Sequence, residues 1–261
     1  MKSFNYKSAT TTKEATKLIS NRSTFLAGGM TLIPAIKLRL AAYSDVINIK
    51  KIKGLSGIKV SSKSLKIGAT TTHAEVSSSK EIKKSISSLS FLAEGIGDPQ
   101  VRNRGTIGGS IANNDPAADY PSACLALNAI IHTNKRKIKA DNFFKGMFET
   151  DLKKGELIVS IEFELPEKSA YAKYPNPASR YAVVGVYVAK FKKEVRVAIT
   201  GASSVVFRSK ELEKALTENF TVSAIENVNL SSKELNSDIH ASPEYRAHLI
   251  KVMAKKAVSS C

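Results

Sequence analysis

Two glycine pairs stand in similar surroundings in distant parts of the chain. The first lies in FLAGGMTL (residues 25–32) and the second in TIGGSIAN (residues 106–113). Because glycine has no Cβ atom, it permits a positive φ and a close approach of another group to the backbone. Where a strand gives way to a helix, free backbone N–H groups can form a cradle suited to phosphate. Gly28-Gly29 and Gly108-Gly109 are both predicted to be such cradles.

Two cradles together indicate a ligand with two charged groups, such as the diphosphate of FAD or of a nucleotide-diphosphate sugar. Thr31, Thr106 and Ser110 add hydroxyl donors beside the glycines. The chain contains neither GxxxxGKS or GxxxxGKT nor GxGxxG, which excludes a P-loop and the Rossmann fingerprint. For each pair considered alone, a plain tight turn is the alternative.

The second motif continues as TIGGSIANNDPAADYP and brings Asp119 close behind its glycines. A carboxylate does not bind phosphate without a metal, but it accepts hydrogen bonds from ribose hydroxyls or an adenine amine. The alternative role of Asp119 is a helix cap, because Tyr120 and Pro121 follow it and proline suits a first helical turn.

The pattern of strands and helices divides the chain into three sections without an internal repeat. The first, residues 4–60, has helices in KEATKLI and MTLIPAIKLRL, a strand at 24–27 and another in DVINIKKI. The second has strands in SLKIGA, AIIHT and ELIVSIEFEL, a capping box in THAE and one helix over SSSKEIKKSISSLSFLAEGI. The proline-rich stretch PEKSAYAKYPNP predicts a boundary. The third section has strands in YAVVGVYVAKF and VRVAITGA, then the helix RSKELEKAL and a terminal helix that starts at Ser242-Pro243.

The composition predicts a cytoplasmic protein of one large domain or two ordinary ones. The chain has 261 residues, of which 43% are hydrophobic. No apolar run approaches the ~20 residues of a membrane span, and the N-terminus lacks the apolar core of a secretory signal. Cys124, Cys261 and the four histidines show no metal-ligand spacing, so this chain alone is not expected to hold zinc or an iron–sulfur cluster.

The net charge of +17 raises the alternative of a nucleic-acid-binding protein. Lysine is spread along the whole chain, Trp is absent, and no basic stripe alternates with aromatic residues. We therefore expect no nucleic-acid partner. A lysine-rich surface, or an acidic protein partner that opposite charge helps to attract, accounts for the charge instead.

Three motifs in order resemble those of one family. FLAGGMTLIPAIKLRL, IGATTTHAEV and GDPQVRNRGTIGGSIANNDPAADYPSA are similar to the FAD-binding medium subunit of the molybdenum hydroxylases, of the carbon monoxide dehydrogenase and xanthine dehydrogenase type. ASPEYRAHLIKVMAKKA resembles the end of that family's C-terminal domain. The resemblance implies an α+β fold. It has a vanillyl-alcohol-oxidase/PCMH-type FAD-binding domain at 1–167, with subdomains of about 1–60 and 61–167, and a CO dehydrogenase flavoprotein-like α+β domain at 168–261.

The resemblance also implies which residues hold FAD. Each residue is placed by its match to a family motif. By the first motif, the residues around the pyrophosphate are Ala27, Gly28, Gly29, Met30, Thr31 and Leu32; by the second, they are Thr106, Ile107, Gly108, Gly109 and Ser110. Asp119 matches the position that holds the ribose or adenine portion. Ile96 matches an apolar position near the flavin ring, and Tyr181 an aromatic position beside the isoalloxazine. Met30 departs from relatives that have a polar residue or His there.

The resemblance implies an electron-transfer subunit rather than a catalyst for an organic substrate. A molybdenum cofactor would lie in a large partner subunit and two [2Fe-2S] clusters in a small one, with electrons passing to FAD here and on to an external acceptor. A hexamer with two copies of each of the three subunits is implied as well. No residue set resembles a hydrolytic or acid–base catalyst. The alternative is a self-sufficient flavin-dependent reductase or oxidase of the same fold.

Overall fold

The chain begins with a small parallel sheet whose strand order is β1–β3–β2. A computed structural model describes residues 1–261. The strands are β1 (Asn5–Ser8), β2 (Ser23–Leu26) and β3 (Asp45–Asn48), and the helices between them are α1 (Thr12–Leu18) and α2 (Leu32–Lys37). Each helix provides the crossover that two parallel strands require. The first glycine pair lies in the turn from β2 to α2, so it occupies the predicted strand-to-helix junction.

A second, antiparallel sheet forms the middle of the protein. Its strands are β4 (Ile58–Val60), β5 (Ser64–Gly68), β6 (Ile130–Thr133), β7 (Lys137–Lys139) and β10 (Ile158–Glu164). Their order is β4–β5–β10–β6–β7, which places β10 at the centre. The 3₁₀ turn Ala140–Asn142 and a separate hairpin of β8 (Phe144–Gly146) and β9 (Glu149–Thr150) lie between β7 and β10.

Six short helices lie between β5 and β6. They are α3 (His73–Ser78), α4 (Lys80–Ser85), α5 (Ser87–Glu94), α6 (Pro99–Arg104), α7 (Ile107–Asn113) and α8 (Tyr120–Ala126). All but α6 contribute to the larger core, a cluster of 30 buried apolar residues. The capping box predicted at Thr72 and Glu75 is confirmed. The prediction of one helix over residues 77–96 is wrong. The Ser79 hydroxyl accepts the N–H of Ile82 and starts α4, and Ile86 leaves helical geometry at φ −143° and ψ 75°.

The last third of the chain forms a second core around a four-stranded antiparallel sheet. Its strands, in spatial and chain order, are β11 (Lys168–Pro175), β12 (Ala182–Lys190), β13 (Val195–Thr200) and β14 (Phe207–Arg208). Helices α9 (Lys210–Glu218) and α10 (Pro243–Ser259) follow, with a 3₁₀ turn at Ser223–Ile225 between them. Helix α10 packs on β11 and β12 and starts at the predicted Ser242 cap. The proline-rich stretch predicted to be a boundary also contains all of β11, a strand that the sequence analysis did not predict.

A buried arginine fastens the last sheet to the middle of the protein. The Arg196 guanidinium on β13 donates to the carbonyl oxygen of Leu125 at 2.9 Å and to both carboxylate oxygens of Asp141 at 2.7 and 2.9 Å. Helix α8 packs on β12 and β13 beside this contact. None of the helices combines the length and the apolar character that crossing a bilayer requires.

Candidate functional site

A cleft of about 650 Å³ lies where the three parts of the chain meet. Its size is typical of a site for a cofactor or other small molecule. Every residue expected to hold the cofactor, except Ile107, lines this cleft; the lining includes Ala27, Gly28, Gly29, Met30, Thr31, Leu32, Ile96, Thr106, Gly108, Gly109, Ser110, Asp119 and Tyr181. Residues far apart in the sequence are therefore brought together at one site.

The first glycine loop offers unused hydrogen-bond donors. None of the five backbone N–H groups from Gly28 to Leu32 donates a hydrogen bond to another atom of the chain. Gly29 has a φ of 79°, in the left-handed region that glycine favours. The Thr31 hydroxyl is exposed and makes no hydrogen bond within the chain. Consecutive free N–H groups at the edge of a cleft form an anion-binding concavity.

The second glycine pair does not offer free donors, and this corrects the sequence prediction. Gly108 and Gly109 lie inside the first turn of α7 rather than between a strand and a helix. The Gly108 N–H donates to the Ala69 carbonyl oxygen at 2.9 Å, and the Gly109 N–H donates to Thr106 Oγ1 at 3.2 Å. The N–H groups of Ile107 and Ser110 are also bonded within the chain.

Ile107 is the expected residue that the structure places elsewhere. Its side chain is fully buried in the larger core, so it holds α7 against the sheet and does not reach the cleft. Gly108 has a packing role as well, because a Cβ there would lie 2.6 Å from the Ala69 carbonyl oxygen. The second motif therefore contributes to the cleft through its surface shape and the Ser110 hydroxyl, and the first contributes the free backbone donors.

The two glycine motifs lie in direct contact. A Cβ on Gly28 would overlap the carbonyl oxygen of Arg104 and would lie 2.8 Å from the Gly105 Cα atom. Arg104 and Gly105 immediately precede Thr106 and the second motif. Only glycine at position 28 lets the first loop approach this backbone so closely. The convergence that the repeated motif suggested is therefore present in the fold.

Asp119 is buried and already has two partners. Its Oδ1 atom accepts the Tyr171 hydroxyl at 2.5 Å and lies 2.9 Å from Lys173 Nζ. Burial raises the pKa of the Asp119 carboxyl, and the Lys173 charge opposes this. The side chain makes no capping bond to α8, so the cap alternative is not realised. Its Oδ2 atom bonds to no residue and is not sealed from solvent, which leaves one oxygen for a donor in the cleft.

Ile96 and Tyr181 both line the cleft, although they lie in different parts of the chain. Ile96 follows α5, and Tyr181 lies in the turn between β11 and β12 with 43% of its surface exposed. Arg180, the residue before it, is the single lysine or arginine in the cleft lining. Its guanidinium donates to the Gly97 carbonyl oxygen at 2.9 Å. The donors of the first loop therefore act without a neighbouring cluster of basic side chains.

His73 lines the cleft as a buried, neutral residue. Its ring is tilted by 42° against that of Tyr120, with the ring centroids 5.3 Å apart, and its Nδ1 atom has no hydrogen-bond partner. Burial, and then the nearby Arg102 charge, lower the pKa of His73 from 6.5 to about 4. The imidazole thus stays uncharged throughout the physiological pH range.

We expect this histidine to make the folded chain sensitive to acid. The unfolded chain takes up a proton at His73 near pH 6.5, whereas the folded chain does so only near pH 4. The stability that the neutral His73 contributes is fully present above pH 6.5. It falls as the pH is lowered toward 4, by about 3 kcal/mol in total. We expect His73→Gln to lose about 3 kcal/mol less stability than the wild type when the pH is lowered from 6.5 to 4. Denaturant unfolding at several pH values measures this difference. If the stability of His73→Gln falls as steeply with decreasing pH as that of the wild type, the assignment is contradicted.

Sequence reasoning missed Arg180, which lines the cleft, and Tyr171 and Lys173 on β11, which contact the cleft residue Asp119. Tyr171 and Lys173 lie in the stretch PEKSAYAKYPNP, which was interpreted as a boundary because of its prolines. The alternation of Ala170, Tyr171, Ala172 and Lys173 is a weak strand signal that could have predicted β11. No sequence signal shows that Lys173 pairs with Asp119, because that contact depends on the packing of two distant elements.

These features define a class of protein that holds a diphosphate-containing dinucleotide between two subdomains and a third, C-terminal unit. The free N–H groups of the first loop fit a pyrophosphate, and the open Asp119 oxygen fits a sugar or amine donor. The apolar Ile96 and the aromatic Tyr181 provide the surfaces that a planar ring packs against. The residues present therefore fit FAD.

Comparison with known proteins identifies the family. Residues 2–167 match the family model described as the FAD binding domain in molybdopterin dehydrogenase, and residues 169–261 match the CO dehydrogenase flavoprotein C-terminal domain. The chain belongs to the FAD-binding medium subunits of the molybdenum hydroxylase family, which are oxidoreductase subunits.

Named relatives are similar over nearly their whole length. The glyceraldehyde dehydrogenase medium chain of Sulfolobus acidocaldarius is 35% identical, with 97% of this chain and 96% of the relative covered. The carbon monoxide dehydrogenase medium chain of Hydrogenophaga pseudoflava is 31% identical, with 98% and 96% covered. A solved structure of carbon monoxide dehydrogenase from Hydrogenophaga pseudoflava superposes with a TM-score of 0.87 at 30% identity, over 99% of this chain and 96% of that one. The expected α+β fold and FAD as cofactor are confirmed.

Proposed function

We propose that this chain is the electron-transfer subunit of a molybdenum-containing hydroxylase or dehydrogenase complex. The observation that supports it best is the first glycine loop, whose five unused N–H groups lie at the cleft beside the second motif. Bound FAD exchanges electrons singly or in pairs, which would link the [2Fe-2S] clusters of a partner subunit to an external acceptor.

The roles of the cleft residues follow from their contacts. The backbone of Gly28, Gly29, Met30, Thr31 and Leu32 would bind the pyrophosphate through N–H groups, with the Ser110 hydroxyl adding a donor from α7. Asp119 would accept a hydrogen bond from the ribose or adenine through its open oxygen. Ile96 and Tyr181 would pack against the flavin ring. Neutral donors suit this site because they hold a diphosphate in place without a group whose charge varies with pH.

The proposed partners are a large subunit with the molybdenum cofactor and a small subunit with two [2Fe-2S] clusters. Relatives such as the 6-hydroxypseudooxynicotine dehydrogenase complex subunit alpha are named as parts of complexes. On this proposal the large subunit selects the substrate. The chain alone would then not oxidise an organic substrate, which separates the proposal from a self-sufficient flavin reductase or oxidase.

Direct electron transfer between the proposed subunits tests this function. The small subunit is reduced with dithionite, freed of excess reductant, and mixed in a stopped-flow instrument with this chain carrying FAD. We expect loss of the visible flavin absorbance together with reoxidation of the clusters. The Gly29→Ala variant, emptied of FAD, should leave the clusters reduced. Flavin that stays oxidised beside reduced clusters would contradict the proposal, and substrate turnover by the chain alone would favour the self-sufficient enzyme.

A further inference from the structure

Lys173 joins three segments that line the cleft. Its Nζ atom lies 2.9 Å from Asp119 Oδ1, and it donates to the Gly95 carbonyl oxygen at 2.9 Å and the Arg180 carbonyl oxygen at 3.0 Å. These two bonds use two of the three N–H donors of the ammonium group, and its charge is paired with the Asp119 carboxylate. Only 10% of the side chain is exposed. The lysine is therefore a buried, paired cation at the junction of the last sheet and the middle of the protein.

Each acceptor leads directly to a residue of the cleft. Gly95 precedes Ile96, Arg180 precedes Tyr181, and Asp119 itself lines the cleft. Ile96 and Tyr181 are thus one residue away from the two carbonyl groups that Lys173 binds. A displacement of either carbonyl would carry the neighbouring side chain with it, because adjacent residues are connected by a rigid planar peptide.

Two arginines also bind the segment that follows α5, but neither makes the contacts of Lys173. The Arg102 guanidinium donates to the carbonyl oxygens of Ile96 and Gly97, both at 3.1 Å, and Arg180 also donates to Gly97. These bonds do not involve Asp119. Lys173 is the contact that ties the segment after α5 and the turn before β12 to one carboxylate.

The buried ion pair between Asp119 and Lys173 is sensitive to the loss of either partner. A buried ion pair gains little net stability, whereas the removal of one partner leaves an uncompensated buried charge. Burial raises the pKa of Asp119 and Lys173 lowers it, so loss of the lysine would favour a protonated carboxyl. A protonated Asp119 would present a different hydrogen-bonding pattern to the cleft.

We propose that Lys173 is a positioning residue for the cofactor, which holds the segments carrying Ile96 and Tyr181 at a fixed distance from Asp119. This rests on the proposed role of the cleft in binding FAD. Lys173 itself need not contact FAD, since its ammonium group already binds two carbonyl oxygens and pairs with the Asp119 carboxylate. It acts by fixing the geometry in which the flavin ring and the adenosine portion are bound.

The test is the affinity of the full-length chain for FAD, together with the visible circular dichroism of the bound flavin. Lys173→Met keeps a long side chain without the charge or the donors. We expect it to raise the Kd for FAD about tenfold or more and to change the flavin dichroism. Lys173→Arg, which keeps the charge, should recover part of the affinity. Lys168→Met, at an exposed position on the same strand, is the matched control and should match the wild type in both measurements.

A Kd within twofold of the wild type and an unchanged dichroism in Lys173→Met would overturn the proposal, even if the apoprotein unfolds at a lower temperature. If Lys173→Met does not fold, Lys173→Gln decides by the same criteria. Gly29→Ala measured in parallel separates the two proposals. FAD retained at full affinity by both variants would contradict the cleft as the FAD site, whereas retention by the Lys173 variant alone would contradict only the positioning role.

Discussion

Replacing Gly29 by alanine should weaken FAD binding by about 30-fold or more, because the first loop would lose donors to the pyrophosphate. Gly29 has a φ of 79°, where an L-residue is disfavoured by about 1–2 kcal/mol. A Cβ there would also lie 3.0 Å from Ile33 Cγ1 and 3.1 Å from Leu26 Cδ1. The loop would turn to relieve this strain, and each hydrogen bond lost to a charged group costs about 1.5–3 kcal/mol. Titration of the apoprotein with FAD measures the change.

Gly54 supplies a matched control for the backbone strain alone. Its φ is 85°, close to that of Gly29, and a Cβ there would meet no atom within 4 Å. It lies on the surface and outside the cleft lining. Gly54→Ala should therefore lose a similar amount of stability and bind FAD like the wild type. Equal FAD affinity in both variants would show that the first loop does not hold the cofactor.

Local chemistry explains why many elements could be predicted. The capping box at Thr72 and Glu75 fixes the start of α3, and Ser242 with Pro243 fixes the start of α10. These signals act over three or four residues and do not depend on the rest of the fold. The apolar run of β12 likewise matches a strand that is buried on both faces.

Elements that depend on tertiary contacts were missed. The strand β11 lies at the edge of its sheet, where proline at a strand end is tolerated, so Pro175 did not break it. The predicted helix over residues 77–96 divides at Ile86, because Ser79 caps a separate helix and Ile86 is buried in the core. In β11 the prolines outweighed a weak alternation, and over residues 77–96 the helical pattern outweighed the cap at Ser79.

The site shows the same division between local and distant effects. The free donors of the first glycine loop could be predicted because they belong to its own backbone at the start of the helix that follows. The second could not, because its donors are taken by the carbonyl groups of Ala69 and Thr71, which lie more than thirty residues earlier in the chain. The bridge between Thr72 and Thr106 creates that pairing. A motif shared with a family thus predicts where a site lies, but it does not predict which N–H groups are free to bind the ligand.

The largest loss of stability is expected for Gly28→Ala. The new methyl group would overlap the Arg104 carbonyl oxygen and lie 2.8 Å from the Gly105 Cα atom, and both of these are backbone atoms. Neither loop can relieve the overlap by a side-chain rotation, so the two walls of the cleft must separate. We expect a loss of about 3 kcal/mol, measured as a lower thermal midpoint of the apoprotein. Gly146→Ala, where the nearest atom is the flexible Glu149 carboxylate at 3.4 Å, should be tolerated.

Excess FAD distinguishes the two glycines of the first loop. A ligand that binds only the folded state shifts the equilibrium by mass action, so a weakened but intact site fills when the ligand concentration is raised. Gly29→Ala should therefore regain one FAD per chain at high FAD concentration, because the walls around its loop stay in contact. Gly28→Ala should not, because separated walls no longer form the site. A Gly28→Ala apoprotein as stable as the wild type would mean that the two glycine motifs do not touch, and the shared cleft would then lose its physical basis.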